Sequence, residues 1–416
     1  MAMMKTILAR TILAGLPAAL ALSAQAGEVV PSPEEMWKII QAQQARIDAL
    51  ETELAETQVE TFEVKKGVEA IADATETSGG SGWYNNTQIG GYGELHYEGG
   101  AKDELDFHRF VLFVGHDFTE NIRFFSELEL EHAIAGEGKV GEIELEQVYV
   151  EMDIGQNAHV YAGMHLVPVG LLNETHEPPT FYGVERNAVE KNIIPATWWE
   201  GGVGINGNVG DSGFSYAAMV SSGLNLNTAN GYKIRSGRQK VGIAQFKSQA
   251  YSGRLAYSGI LGLNIASSIY YQPDVTQKVG DSISGEDVSA FLWESHIDAK
   301  YKGFGLRALY ANWSLDGAEA SVSGRDKQSG FYIEPSYKLG VPMGPLDDAQ
   351  IGVFYRYSDW DNEAGLDNNT GVKRSVFGVN YWPIDDVVLK MDYIIEDKDS
   401  GGASNKSMNL GVGYQF

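Results

Sequence analysis

Downstream of Thr87 the chain alternates apolar and polar residues with a period of two. Phe124, Leu128 and Leu130 alternate with Arg123, Glu127, Glu129 and Glu131; Phe291, Trp293, Ile297 and Tyr301 alternate with Glu294, His296, Asp298 and Lys300. Phe331, Ile333, Tyr337 and Leu339 stand against Tyr332, Glu334, Ser336 and Lys338. Leu389, Met391, Tyr393 and Ile395 stand against Lys390, Asp392, Ile394 and Glu396. The run "KSMNLGVGYQF" puts Met408, Leu410, Val412, Tyr414 and Phe416 on one face. A strand points successive side chains to opposite faces, so these runs predict an antiparallel all-β domain. There are about sixteen of them, the even number expected of a bacterial transmembrane barrel. Tight turns ("DFTEN", "DIGQN", "GDS", "SGILG", "PIDD") alternate with longer polar segments at 223–246, 273–287, 315–329 and 360–372. That is the turn-and-loop asymmetry of such barrels.

In most runs the face opposite the apolar one carries Glu, Asp, Arg, Lys or His, too polar for a packed interior. The alternative is a soluble β-sandwich or lectin-like barrel, whose apolar faces would fill a core. The predicted fold is a 16-stranded antiparallel transmembrane β-barrel over 87–416, apolar outside and wet inside. A bare backbone group in lipid costs several kcal/mol, so the run ending at Phe416 must pair as the closing strand.

Earlier residues follow other patterns. Lys5 and Arg10 flank the start of an apolar stretch ending in Ala24-Gln25-Ala26, which reads as a secretory signal over 1–26 and a mature chain from Gly27. Residues 27–76 form a periplasmic segment. Within it, 33–57 place Ile40, Ile47 and Leu54 at one heptad position and Met36, Gln43 and Leu50 at its partner. That 3.5-residue repeat predicts a short parallel coiled coil, a helix preceding the barrel; one amphipathic helix lying on another surface is the alternative. Residues 77–86 are a Gly/Ser linker.

Composition excludes several function classes. With no cysteine there are no disulfides, thiolate nucleophiles or cysteine-ligated metals. Acids outnumber bases 56 to 31, a net charge of −25, which argues against nucleic acid as a partner. No mature stretch approaches the roughly 18 apolar residues of a spanning helix. Gly202-Val203-Gly204-Ile205-Asn206-Gly207 matches GxGxxG but lies in an alternating strand, with no helix to aim amides at a pyrophosphate. The eight histidines show no HExxH spacing and no cluster, and no GxSxG elbow occurs. No cofactor, metal or enzyme activity is expected. Two alternatives from other classes stay open: an outer-membrane hydrolase with a Ser/His pair assembled by the fold, and a structural tether to the cell wall.

One connection, 166–199, is longer than an ordinary loop and contains four prolines. Its "GVERNAVEK" admits a short helical turn. Folded inward, it would set the narrowest bore of an aqueous lumen; packed on a neighbouring subunit or on headgroups, it would not. The alternation assigns Arg109, Arg123, Arg254, Arg307, Arg356, Lys300, Lys338 and Lys390 to the lumen wall. Against them stand Glu94, Glu127, Glu129, Glu131, Glu294, Asp298, Glu334, Asp392 and Glu396. Carboxylate rings favour cations and Arg or Lys rings favour anions, so the acidic stripe Glu127–Glu129–Glu131 predicts a weak cation preference. Alternatively these charges pair across strands for about 0.2–1 kcal/mol each. The basic run "YKIRSGRQK", with Lys233, Arg235, Arg238 and Lys240, gathers anions at the mouth, touches lipopolysaccharide phosphates, or is a solvated loop face.

From about Gly90 onward the chain resembles the phosphate-selective porins and their relatives. The resemblance rests on "GGYGELHY", "DFHRFVLFVGHDF", Val184-Glu185-Arg186-Asn187, "FYRYS", "GVNYWPIDDVVLKMDYIIEDK" and the closing strand, in that order. It implies a homotrimer of sixteen-stranded barrels in the outer membrane of a Gram-negative bacterium, in contact with lipid and lipopolysaccharide. It also implies that the third outer loop folds into the pore, a role that falls on Glu185, Arg186, Asn187 and Lys191. Phosphate-specific members carry an arginine ladder and a lysine cluster; here Tyr92 and Met164 stand where arginines tend to lie, which speaks against phosphate. The expected function is passive diffusion of small hydrophilic solutes or ions, with an anion- or phosphate-selective channel as the alternative.

Overall fold

The computed structural model describes residues 83–416 except 101–102, 135–137, 139, 279–286, 343–345 and 367–368. The expected signal, the 27–76 segment with its heptad seam and most of the linker lie outside the described residues. Sixteen strands follow: β1 (Thr87–Glu98), β2 (Glu104–Thr119), β3 (Ile122–Glu131), β4 (Ile143–Asp153), β5 (Ala158–Leu166) and β6 (Trp199–Asn208). Next come β7 (Phe214–Ser221), β8 (Ala250–Ile260), β9 (Leu263–Gln272), β10 (Ser289–Tyr301) and β11 (Phe304–Asp316). The set ends with β12 (Lys327–Gly340), β13 (Gln350–Asp361), β14 (Val372–Ile384), β15 (Val387–Lys398) and β16 (Asn405–Gln415). Each pairs antiparallel with the next, and β1 pairs with β16, closing the barrel.

The seam runs from Tyr92↔Gln415 to Glu98↔Asn409. It reaches the final residue, because Phe416 and Gly91 exchange two backbone hydrogen bonds of 2.9 Å. Along β16, Met408, Leu410, Val412 and Phe416 are exposed while Asn409, Gly411 and Gly413 are buried, so the period-two reading holds. At the end opposite the long loops the connections are short. Lys302 and Gly303 both take left-handed φ angles (49° and 84°) between β10 and β11, the two-residue geometry that matches strand twist.

The interior departs from the expectation of polar inner faces. On β10 and β11 the inner positions near the long loops are Ala290, Leu292, Leu309, Ala311, Trp313 and Leu315, all buried. They pack on Val167, Val169, Val189, Ile193, Ile194 and Trp198 of the third outer loop (167–198) and on Leu224, Leu226 and Ile234 of the fourth (222–249). Trp198, Tyr270 and Trp313 form an aromatic cluster with ring centroids 4.8–6.0 Å apart. These inner faces are apolar because they meet loop rather than water, so a hydrophobic core sits inside the barrel, off to one side.

Truncating a buried Trp costs about 3–5 kcal/mol. Trp198→Ala should therefore leave the barrel closed, seen as retained heat-modifiable mobility, while protease cleaves the third loop faster. Unchanged cleavage would mean the core does not hold the loop.

Candidate functional site

The third loop leaves β5 and returns at Trp199, and one residue ties its base. Asn173 donates through Nδ2 to the carbonyls of Val167 (2.8 Å) and Trp198 (2.9 Å) and accepts from the Trp198 amide (2.7 Å). Further along is a single helical turn, α1 (Ala188–Asn192). Asn187 caps it by accepting from the Val189 amide at 2.8 Å, a standard N-cap contact. Glu190 of this turn accepts from the Leu171 and Leu172 amides (2.8 and 2.6 Å) and from the Tyr332 hydroxyl on β12 (2.8 Å). Burial pushes its carboxyl up from the ordinary value, against the pull of those donors.

Between these points the loop backbone lies along the wall. Its carbonyls need donors away from bulk water, and inward side chains supply them. Trp382 donates to Pro179 (3.1 Å), Arg307 to Thr180 (3.1 Å), Asn380 to Phe181 (3.2 Å) and Arg356 to Tyr182 (2.6 Å). In return the Val184 amide donates to Asp392 at 2.7 Å. Strand β16 leaves room for this: a Cβ on Gly411 would lie 3.2 Å from a Val184 methyl, and one on Gly413 would collide with Pro178.

At the loop's far side Glu185 meets His96 Nδ1 (3.0 Å), His108 Nε2 (3.9 Å) and Lys191 Nζ (3.8 Å). Burial alone would raise its carboxyl, but Lys191, His96 and His108 outweigh burial and hold it well below the usual carboxylate range. Arg186 donates to Thr197 Oγ1 at 2.5 Å. Two arginines of the fourth loop fold inward onto the same segment: Arg235 donates to the carbonyls of Lys191 (3.2 Å) and Ala196 (2.7 Å), and Arg238 to those of Pro195 (3.2 Å) and Thr197. Among the described residues none of these three guanidiniums has a carboxylate within ion-pair distance. Burial, then repulsion from Arg238 and Arg186, pushes Arg235 down to about 9; burial and Arg186 lower Arg238 as well. The inward turn of Arg235 and Arg238 was not legible from their run, because their acceptors are carbonyls some forty residues earlier.

Many of the wall residues expected from alternation are covered. Glu94, Arg109, Glu127, Glu129, Glu294, Arg356, Lys390 and Asp392 are buried. Arg123, Glu131, Arg254, Asp298 and Arg307 are partly exposed. Neighbouring strands pair the charges: Arg109 with Glu94 (2.5 Å), Arg356 with Glu334 (2.5 Å), Arg307 with Asp298 (3.1 Å), and Arg123 with Glu151 (3.1 Å) and Asp153. Arg254 pairs with Glu174 of the loop. The stripe Glu127–Glu129–Glu131 is therefore not a continuous acidic face in water, since two of its three members lie buried. The reading that the histidines form no cluster also fails. His96 and His108 stack at 4.7 Å and His132 lies 5.4 Å from His108, with Asp106 bridging His108 and His132. Antiparallel register brings them together, and linear spacing hides it.

The profile of the family described as phosphate-selective porin O and P matches residues 91–416. The chain belongs to this porin family. It is an outer-membrane porin, a channel rather than an enzyme. An uncharacterized protein of Aquifex aeolicus (strain VF5) is 32% identical over 338 residues, covering 74% of this chain and 75% of its own length. Among solved structures, an anion-selective porin from Comamonas acidovorans matches with a TM-score of 0.53 at 12% identity, over 79% of this chain and 99% of that one. The trimer form of OmpT, an outer membrane protein of Vibrio cholerae, gives 0.50 at 10% identity, over 79% and 98%. At such identities the structures share the fold with this porin.

Two predictions test the loop's attachment. Asp392→Ala leaves the Val184 amide buried without an acceptor, a loss of about 1–3 kcal/mol; single-channel currents should become noisier, and Asp392→Asn, which keeps an acceptor, should restore quiet openings. Equal noise in both variants would rule out that contact. The lowered Glu185 carboxyl contributes stability that is fully present above its ordinary value of 4.5 and is lost only as pH falls below it. Protection of the third loop from hydrogen exchange should hold between pH 5 and 7, decline well below that, and lose this acid step in Glu185→Gln; a step that survives in the variant would assign it to another group.

Proposed function

We propose that this porin passes small hydrophilic solutes and ions through a lumen narrowed by the third loop, and that the narrow section favours anions. The observation that carries this reading is the trio Arg186, Arg235 and Arg238: burial and then mutual repulsion lower Arg235, and none of the three forms an ion pair with a described carboxylate. The weak cation preference expected from the sequence rested on Glu127 and Glu129, which are buried beneath the loop. The net charge of −25 pulls the other way. Exposed charges beyond a Debye length, about 10 Å at 0.1 M salt, are largely screened, so charges at the narrowest section outweigh the distant ones. Partly exposed Glu131 and Glu185 oppose the trio and keep the preference modest.

The homotrimer is part of this proposal, supported by family membership and by the trimer form of the Vibrio cholerae protein. So is the coiled coil over 33–57 within a periplasmic segment 27–76, supported by its heptad spacing and by β1 starting at the short-turn end of the barrel. Contact with lipid and lipopolysaccharide is supported by the exposed apolar belt.

Reversal potentials across planar bilayers in a potassium chloride gradient test the selectivity. The wild type should favour chloride, and Arg186→Ala/Arg235→Ala/Arg238→Ala should shift the permeability ratio several-fold toward potassium. A cation-selective wild type, or a triple variant with an unmoved ratio, contradicts the proposal.

A further inference from the structure

Among the described residues, three groups of side chains that could ligate a metal converge: His96–His108–Glu185, Asp106–His108–His132 and Glu127–Glu146–His176. The first two are partly exposed and already hydrogen-bonded internally, at 3.0 Å for His96–Glu185 and 2.9 Å for His132–Asp106. The third differs. Its side chains are 1–3% exposed, and among the described residues Glu127 Oε1, Glu146 Oε2 and both His176 ring nitrogens have no hydrogen-bond partner. His176 Nε2 nevertheless points at both carboxylates, 3.6 Å from Glu127 Oε1 and 3.4 Å from Glu146 Oε2.

Such spacings are long for charge-assisted hydrogen bonds, which run at about 2.7–2.9 Å. They suit ligands around an ion: metal–oxygen and metal–nitrogen bonds of about 2.0–2.1 Å at a tetrahedral angle put ligand atoms roughly 3.4 Å apart. The backbone also prepares the site. Register between β3 and β4 shifts after Glu127, which faces Gln147, while Leu128 faces Leu145. Glu146 is the extra residue of this bulge and is turned inward beside Glu127; bulges re-aim side chains in this way next to functional sites. Gln147 Nε2 donates to Glu127 Oε2 at 2.7 Å, fixing the carboxylate so that its other oxygen faces His176.

We propose that Glu127, Glu146 and His176 bind one divalent first-row transition-metal ion that fastens the third loop to strands β3 and β4. One imidazole and two carboxylates suit Zn²⁺, Mn²⁺ or Fe²⁺. The site does not depend on which ions the channel passes.

The test uses the detergent-purified full chain, stripped with a chelator, with Zn²⁺ alone as the probe. Calorimetry should give one tight ion per chain, and Zn²⁺ should raise the unfolding temperature. His176→Ala should weaken that binding at least tenfold. The near-isosteric Glu127→Gln/Glu146→Gln should do the same and guards against misfolding of the first variant. His96→Ala/His108→Ala should retain the tight site. No tight ion in the wild type, undiminished binding in both site variants, or loss confined to the His96/His108 variant overturns the proposal.

Discussion

Lipid offers no hydrogen bonds to a backbone N–H or C=O, and each group left bare there costs several kcal/mol. The barrel exists because sixteen strands satisfy one another around a closed ring, and closure depends on the single seam between β1 and β16. That seam extends to Phe416, whose amide and carbonyl both bond to Gly91.

A closed ring of this size encloses more space than its wall side chains fill. The third and fourth outer loops occupy part of it, and they do so with two kinds of contact. On the β8–β13 side, aliphatic loop residues meet apolar wall positions and form a dry core. On the β13–β16 side, loop carbonyls accept from Arg356, Asn380 and Trp382, and the Val184 amide donates to Asp392. Wall charges that alternation alone would assign to water are thus mostly consumed in holding the loop or one another. In the proposed channel, the passage left to solutes carries Arg186, Arg235 and Arg238 against Glu131 and Glu185.

The strands were legible because lipid imposes one unambiguous requirement on every outward position, and a period of two records it. Loop 166–199 was legible by its length, and its helical turn by the run "GVERNAVEK", while the capping role of Asn187 emerged only from the structure. Two features were hidden for physical reasons. Ala290 and Leu292 alternate with Phe291 and Trp293, so both faces of that stretch are apolar, and its inner partner lies about a hundred residues earlier in the chain. Burial of Glu127 and Glu129 likewise depends on a loop whose path no local pattern encodes. The clustering of His96, His108 and His132, and the inward turn of Glu146, follow from strand register and one bulge.

The central claim is that the third loop rests against the inner wall in the conducting channel. Because the chain has no cysteine, one engineered pair reports on it cleanly. Gly411 lies against Val184, with a built Cβ 3.2 and 3.5 Å from the two methyls. The measurement is the single-channel conductance of Val184→Cys/Gly411→Cys before and after oxidation. The account predicts that the disulfide forms in the folded protein and that conductance stays the same, since the loop already lies there. A pair that does not crosslink, or a conductance that changes when it does, would place the loop elsewhere in the open channel and contradict the account.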